Sequence, residues 1–148
     1  MKRFLLILAM ILGTVSSWGQ NLNTDYVVVD LTAPNLAQLQ SQYNGQPHVL
    51  MNESMKPAPY MIYMVMNDNG QQTVDLHIFV ATQPGVLNFK SGSVNLANVA
   101  SFSKEFSNWK NNVRGKVVIH STNVFNTADG IALKTKLQEL TGLDFITP

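Results

Sequence analysis

Four short apolar runs of strand length recur along this chain, and segments with helical spacing separate them. The runs lie at residues 26–30, 48–51, 74–80 and 116–119, and residues 143–146 have the pattern of a final short strand. Continuous apolar runs of this kind are typical of strands buried on both faces of a parallel sheet, which needs crossover helices between its strands. The sequence therefore predicts an α/β fold, a three-layer sandwich around a mostly parallel central sheet.

The segments between the first three runs carry helix signals. Pro34 suits a first helical turn, and Leu36, Leu39 and Tyr43 recur on one helical face. Residues 60–66 are ambiguous, because an unbroken apolar run of seven also has strand length. We expect a helix there, because methionine favours helices and parallel strands on either side need a crossover.

The second half of the chain adds a hairpin and two helices. Two alternating runs, residues 86–89 and 93–96, predict a small β-hairpin after the third strand. The spacing of Phe102, Phe106 and Trp109 predicts a helix that begins at Asn98 and ends at Asn111-Asn112. A last helix is expected from Asp129, as its N-cap, to a C-terminal glycine at Gly142.

The first 19 residues have the organisation of a secretory signal peptide. Two basic residues precede an apolar stretch at residues 4–12, and small and polar residues follow up to Gly19. We expect cleavage after Gly19, which leaves residues 20–148 as a single domain without an integral membrane segment, because an uncleaved anchor needs nearly 20 apolar residues. The expected location is the periplasm, the outer surface or the extracellular medium.

Charge and cysteine content exclude several classes of function. Of 148 residues only 13% are charged, and the formal net charge is +1. Without the two basic residues of the leader, eight basic residues balance nine acidic ones, so no nucleic-acid or anionic-lipid partner is expected. The absence of cysteine excludes thiol catalysis, thiolate metal sites and disulfides.

Three stretches of this sequence carry a specific likeness. They are residues 77–85, which read His-Ile-Phe-Val-Ala-Thr-Gln-Pro-Gly, residues 94–109, and residues 123–145, which end in Leu-Thr-Gly-Leu-Asp-Phe. With the opening strand they resemble an extracellular bacterial domain of unknown function, found near the start of large repeat-containing adhesins and exoproteins. That domain is related in fold to caspase-like cysteine peptidases. The resemblance implies a caspase-like, broadly flavodoxin-like domain over residues 20–148.

The resemblance also implies that a catalytic pair is missing. In the relatives the third strand ends in Ser-His-Gly before Pro-Gly, and the fourth ends in Tyr-Gly-Cys-Asn-Val. The His position falls on Ala81 and the Cys position on Thr122, beside Thr82 and Ser121 at the two glycine positions. Alanine cannot transfer a proton, and a threonine hydroxyl without a base is a poor nucleophile at neutral pH. This implies a pseudo-peptidase with no catalytic residues.

The remaining candidates for acid–base chemistry are two histidines and two hydroxyls. In one interpretation His120 or His77 serves as a relocated base that activates Ser121 or Thr122 in a hydrolase. In the other, His77 packs in the sheet with its nitrogens satisfied and His120 is a polar residue at a strand end. We favour the second, because His77 lies four residues before Ala81, which is about 13 Å along an extended strand.

No metal or cofactor site is expected from the sequence. His48, His77 and His120 fall on three different strands, without short spacing or an obvious carboxylate companion, which is unfavourable for zinc. The aspartates do not supply oxygens at the alternate positions of an EF-type calcium loop. Those considered are Asp25, Asp30, Asp75 and Asp144.

Three functions are compatible with these observations. The first is a secreted, non-catalytic module that binds an unknown protein or glycan partner at the cell envelope, in adhesion or another surface role. The second is the hydrolase that uses Thr122 or Ser121. The third is a small periplasmic inhibitor or partner of an intact relative. The exported leader, the amide-rich surface and the missing dyad favour the first.

Overall fold

The computed structural model describes residues 25–46, 49–53, 55–68 and 72–148, so the predicted signal peptide and His48 lie outside the described residues. No helix in these ranges is long and apolar enough to cross a membrane. In chain order the elements are β1 (Tyr26–Asp30), α1 (Leu36–Tyr43), β2 (Val49–Asn52), α2 (Ala58–Asp68), β3 (Leu76–Phe79), β4 (Ala81–Gln83), β5 (Val86–Phe89), β6 (Gly92–Asn95), a 3-10 turn (Val99–Phe102), α3 (Ser103–Trp109), β7 (Lys116–Ile119), α4 (Ala128–Thr141) and β8 (Asp144–Ile146).

The central sheet has five strands in the order β2-β1-β3-β7-β8. Each neighbouring pair is parallel, as the apolar runs predict. The ambiguous segment at residues 60–66 lies within α2, which confirms the helix prediction. The topology gives the reason: β2 and β3 lie on opposite sides of β1, so the chain between them has to cross the sheet.

Helices cover both faces of this sheet, which makes three layers. Consecutive strand residues point to opposite faces, so Val28 belongs to a large core cluster while Val29 belongs to a smaller one that contains Leu39 of α1. The large cluster contains side chains of α2, α3 and α4, namely Ile62, Met66, Phe106, Trp109, Leu133 and Leu137. The predicted α/β sandwich is therefore confirmed.

The predicted hairpin is present, and β4 adds a third strand to it. The small antiparallel sheet has the order β4-β5-β6. Gly85 makes the reversal between β4 and β5 with φ 73°, a conformation that glycine adopts without steric penalty. A Cβ at this position would also lie 3.1 Å from the Asp129 side chain, so the turn packs directly against the start of α4.

A buried aspartate at the end of β1 connects the two sheets. The Asp30 side chain is fully buried. Its Oδ1 accepts hydrogen bonds from the Lys90 backbone N–H at 2.8 Å and the Thr32 hydroxyl at 2.8 Å, and its Oδ2 accepts one from the Asn52 amide at 2.6 Å. Thr32 Oγ1 in turn accepts the Ala81 N–H at 3.2 Å. The turn between β5 and β6 and the start of β4 are thereby joined to β1 and β2.

The helix ends follow the predictions with two corrections. Gly142 ends α4 with φ 69° and donates its N–H to the Gln138 carbonyl, as predicted. The N-cap of α4 is Thr127, whose hydroxyl accepts the Gly130 N–H, while Asp129 lies in the first turn, where its charge favours the helix dipole. The helix predicted from residue 98 begins as a 3-10 turn, and α3 starts at Ser103.

Candidate functional site at the carboxyl edge of the sheet

A network of polar side chains joins the segments that follow β3 and β7. These strands are parallel neighbours, so the residues after them meet at the carboxyl edge, where open α/β folds place their sites. Thr82 Oγ1 lies 2.7 Å from Ser121 Oγ. The Thr82 and Ser121 hydroxyls also lie within donating distance of Asn123 Oδ1, at 2.9 Å and 3.1 Å. Hydroxyl-bearing side chains thus connect the two positions at which the resembling domains carry glycine.

The Ser121 hydroxyl is fixed in the turn that follows β7. It accepts the backbone N–H groups of Asn123 and Val124, each at 3.2 Å. A hydroxyl has two lone pairs and one proton, so these two bonds occupy both lone pairs and leave the proton for Thr82 or Asn123. Ser121 therefore stabilises this turn, and its hydrogen-bond partners are hydroxyl, amide and backbone groups with no general base among them.

Ala81 and Thr122, the two positions that the resemblance assigns to the catalytic dyad, do not supply a base and a nucleophile that contact each other. Ala81 is half-buried in β4, where its backbone N–H binds Thr32, and its side chain has no titratable group. Thr122 is exposed. A general base therefore has to come from elsewhere, and the candidates are His77 and His120.

The two histidines contact each other. His77 Nδ1 lies 2.9 Å from His120 Nε2, and His77 Nε2 lies 3.3 Å from Asp25 Oδ2. The ring of His120 stacks on Phe79, with centroids 3.9 Å apart and planes 10° from parallel. Phe79 belongs to the layer that contains α1. The His120 ring therefore lies on the α1 face of the sheet, while Ser121 begins the turn that follows, where its N–H is donated to the Ile119 carbonyl at 2.9 Å.

The environment of His120 favours its neutral form. Burial lowers the pKa of the imidazole, and the neighbouring His77 lowers this pKa further. A neutral imidazole has one nitrogen that accepts a hydrogen bond, which suits an N–H donated by His77. His120, His77 and Asp25 thus form a series of polar contacts on the α1 face of the sheet, a hydrogen bond between the two rings and a 3.3 Å contact between His77 Nε2 and Asp25.

Two concave surfaces adjoin the carboxyl edge. A cavity of about 260 Å³ lies between α1 and the ends of β3 and β7, lined by Pro34, Asn35, Gln38, Leu39, Phe79 and His120. A groove of about 420 Å³ lies between the small sheet and the start of α4, lined by Pro84, Gly85, Val86, Asn95, Leu96, Ala97 and Asp129. Leu96 is 45% exposed in this groove, and amide and aliphatic groups line both surfaces.

A cluster of possible metal ligands lies at the opposite, amino edge of the sheet. Asp25, Asp75 and His77 each place one possible metal-ligating atom within 4.8 Å of the others. Sequence spacing relates these aspartates to a calcium loop, which they do not form, and gives His77 no obvious carboxylate companion. Two signals were present in the sequence: Asp75 directly precedes β3 and lies two residues before His77, and Asp25 directly precedes the neighbouring strand β1.

Comparison with known proteins gives a family for the chain. No curated protein and no solved structure matches it. The profile of a family described as a domain of unknown function (DUF4347) matches residues 26–147, from the first residue of β1 to the residue after β8. This range includes the central sheet, the small sheet and every residue of the carboxyl-edge network, so the chain belongs to the DUF4347 family of domains of unknown function.

Proposed function

We propose that this protein is a secreted, non-catalytic α/β module that binds a protein or glycan partner at the cell envelope. One observation carries the non-catalytic part: the Thr82–Ser121 contact of 2.7 Å occupies the carboxyl edge, where a peptidase of the resembling type holds an imidazole beside a thiol. A hydroxyl network of this kind connects strand ends and supplies neither a base nor an activated nucleophile.

The alternative, a hydrolase with a relocated base, has less support. Its base would have to be within about 3 Å of the Ser121 or Thr122 hydroxyl. His77 uses both ring nitrogens in contacts with His120 and Asp25, and His120 stacks on Phe79. Both imidazoles are thereby held on the α1 face, so the geometry favours a structural role for them.

The binding part of the proposal is supported by the groove beside the small sheet. Leu96 is an exposed apolar side chain in a groove that Val86 and Ala97 also line, together with a proline, a glycine, an asparagine and an aspartate. Apolar contacts with a few convergent polar groups are the usual composition of a ligand site. The groove is close to the size of small-molecule sites, which suits a short peptide segment or a few sugar units.

Binding can be tested with a matched pair of surface variants. The purified protein is applied to a glycan array and to immobilised envelope proteins and cell-wall glycans. The change Leu96→Asp places a charge in the groove, whereas Ile131→Asp places one at an exposed residue, 58% accessible, that does not line it. We expect the wild-type protein and Ile131→Asp to bind the same ligand and Leu96→Asp to lose it. No binding by the wild-type protein, or equal binding by both variants, would contradict the proposal.

Export is tested separately, by fractionating cells that express the full chain and measuring the mass of the mature protein. Cleavage after Gly19 predicts a product that begins at Gln20, found in the periplasm, on the outer surface or in the medium. An intact chain recovered from the cytoplasm would contradict secretion.

A further inference from the structure

Two carboxylates and an imidazole converge where β1 and β3 begin. Asp25 and Asp75 each directly precede the first residue of a strand, and Tyr26 and Leu76 are paired in register, so the two aspartates are cross-strand neighbours. His77 lies two residues after Asp75 and therefore on the same face of β3. One ligand atom from each side chain lies within 4.8 Å of the other two.

The spacing between His77 and Asp25 matches that of two ligands on one metal ion. His77 Nε2 and Asp25 Oδ2 are 3.3 Å apart, longer than most N–H···O hydrogen bonds. Two ligand atoms on a tetrahedral zinc ion, each about 2.0–2.1 Å from the metal, lie roughly 3.3–3.4 Å apart. The His77–Asp25 pair therefore has the spacing of two zinc ligands. The Asp75 ligand atom lies within 4.8 Å of both and would complete the set by a change of side-chain rotamer.

The imidazole of His77 is already oriented as a ligand. Its Nδ1 is hydrogen-bonded to His120 Nε2 at 2.9 Å, which directs Nε2 towards Asp25. Metal-ligating histidines commonly have such a bond from the nitrogen that does not bind the metal, because it fixes the tautomer and the ring orientation. His120 would act here as a positioning residue.

In each carboxylate, Oδ1 accepts a backbone hydrogen bond, and Oδ2 is the oxygen that could bind a cation. Asp25 Oδ1 accepts the Asp75 N–H at 3.1 Å, and Asp75 Oδ1 accepts the Lys116 N–H at 2.9 Å. Like charges on directly opposed residues repel, and a cation between them relieves this. Lys116 Nζ is 3.9 Å from Asp75 Oδ2 on a half-exposed side chain, so it supplies part of this charge and competes with a metal ion.

From this geometry we propose that Asp25, Asp75 and His77 bind one divalent transition-metal ion, with Zn²⁺ as the best fit, and that a fourth position remains open to water. A nitrogen ligand with two carboxylates suits zinc, whereas calcium and magnesium prefer oxygen ligands throughout. The ion would join the starts of β1 and β3 at the edge of the sheet opposite the hydroxyl network. This inference does not depend on the proposed binding function.

Zinc binding is tested by titrating ZnCl₂ into the untagged, EDTA-treated and dialysed protein in a calorimeter, with the bound metal counted by mass spectrometry. We expect one zinc ion per chain. The changes Asp25→Asn and His77→Gln should each weaken binding by about tenfold or more. Asp144→Asn is the matched control, because Asp144 is an exposed aspartate at the start of β8 on the same edge of the sheet.

Two further measurements keep the test decisive if a ligand variant folds poorly. Lys116→Gln removes the competing cation and should tighten zinc binding, and Co²⁺ added to the wild-type protein should give the visible absorption of a tetrahedral N/O site. The proposal is overturned if the wild-type protein binds no zinc. It is also overturned if ligand variants shown by circular dichroism to be folded bind as the control does, or if calcium binds more tightly than zinc.

Discussion

The hydroxyls of Thr82 and Ser121 meet at 2.7 Å across the ends of β3 and β7. The two residues are 39 positions apart in the sequence. Thr82 follows β3 and Ser121 follows β7, and these two strands are parallel neighbours. Their contact closes the carboxyl edge between the central strands with a structural hydrogen bond.

The first prediction concerns the stability that this network provides. Ser121→Ala leaves the Asn123 and Val124 N–H groups without their acceptor, and we expect a loss of about 1–3 kcal/mol in the free energy of unfolding. Thermal and urea denaturation measure this loss. Thr122→Ala is the control, because Thr122 is exposed and its replacement should change stability by less than about 0.5 kcal/mol. Equal effects of the two changes would show that the network is not structural.

The second prediction concerns the direct coupling between the two hydroxyls. In a double-mutant cycle of Thr82→Val and Ser121→Ala, the combined loss should be smaller than the sum of the single losses by about 0.5–1.5 kcal/mol, because each single change already breaks the shared bond. Strict additivity would mean that the two hydroxyls do not interact in solution.

The third prediction concerns Asp30, which connects the large and small sheets. Asp30→Ala removes a fully buried side chain that accepts four hydrogen bonds and leaves their donors without an acceptor. We therefore expect the free energy of unfolding to fall by about 3 kcal/mol or more. Asp144→Ala, on an exposed aspartate, should have a much smaller effect. Hydrogen exchange should show the greatest loss of protection in β4, β5 and β6. Unchanged protection there would contradict the role assigned to Asp30.

The fourth prediction concerns pH. Burial, and secondly His77, lower the pKa of His120 in the folded protein, so the folded state takes up this proton less readily than the unfolded state does. The resulting stability is present above the unfolded pKa of about 6.5 and is lost as the pH falls through and below that value. The groups that face His120 are His77 and, beyond it, Asp25.

Urea unfolding in EDTA at about pH 7.5 and about pH 5 tests this linkage. The wild-type protein should lose more stability on acidification than His120→Gln, since only the wild-type protein has an imidazole at this position to protonate. An equal loss in both proteins would show that His120 does not carry the effect.

The sequence predicted the central sheet well because buried parallel strands have a distinctive apolar signature. It also predicted α2 correctly, since strand topology resolved a pattern that periodicity alone left ambiguous. It missed β4, because Ala81, Thr82 and Gln83 have no apolar alternation. Their strand conformation depends on the contact between Thr32 and the Ala81 N–H and on pairing with β5.

The candidate sites were less predictable, because they depend on which strands are neighbours. His77 and His120 are 43 residues apart and meet only because β3 and β7 are adjacent in the sheet. Asp25 and Asp75 are likewise brought together by the register of β1 and β3. Ala81 and Thr122 both follow strands that end at the carboxyl edge, but the hydrogen bonds of their neighbours Thr82 and Ser121 depend on side-chain geometry, which sequence patterns do not give.

The most direct test of the non-catalytic claim is a turnover assay on the purified protein with peptide and ester substrate libraries, together with labelling by a fluorophosphonate probe. The assay is repeated with Ser121→Ala and Thr122→Ala. The proposed function predicts no turnover and no labelling above the level of heat-denatured protein. Turnover by the wild-type protein that disappears in either variant would contradict it and would establish a hydrolase.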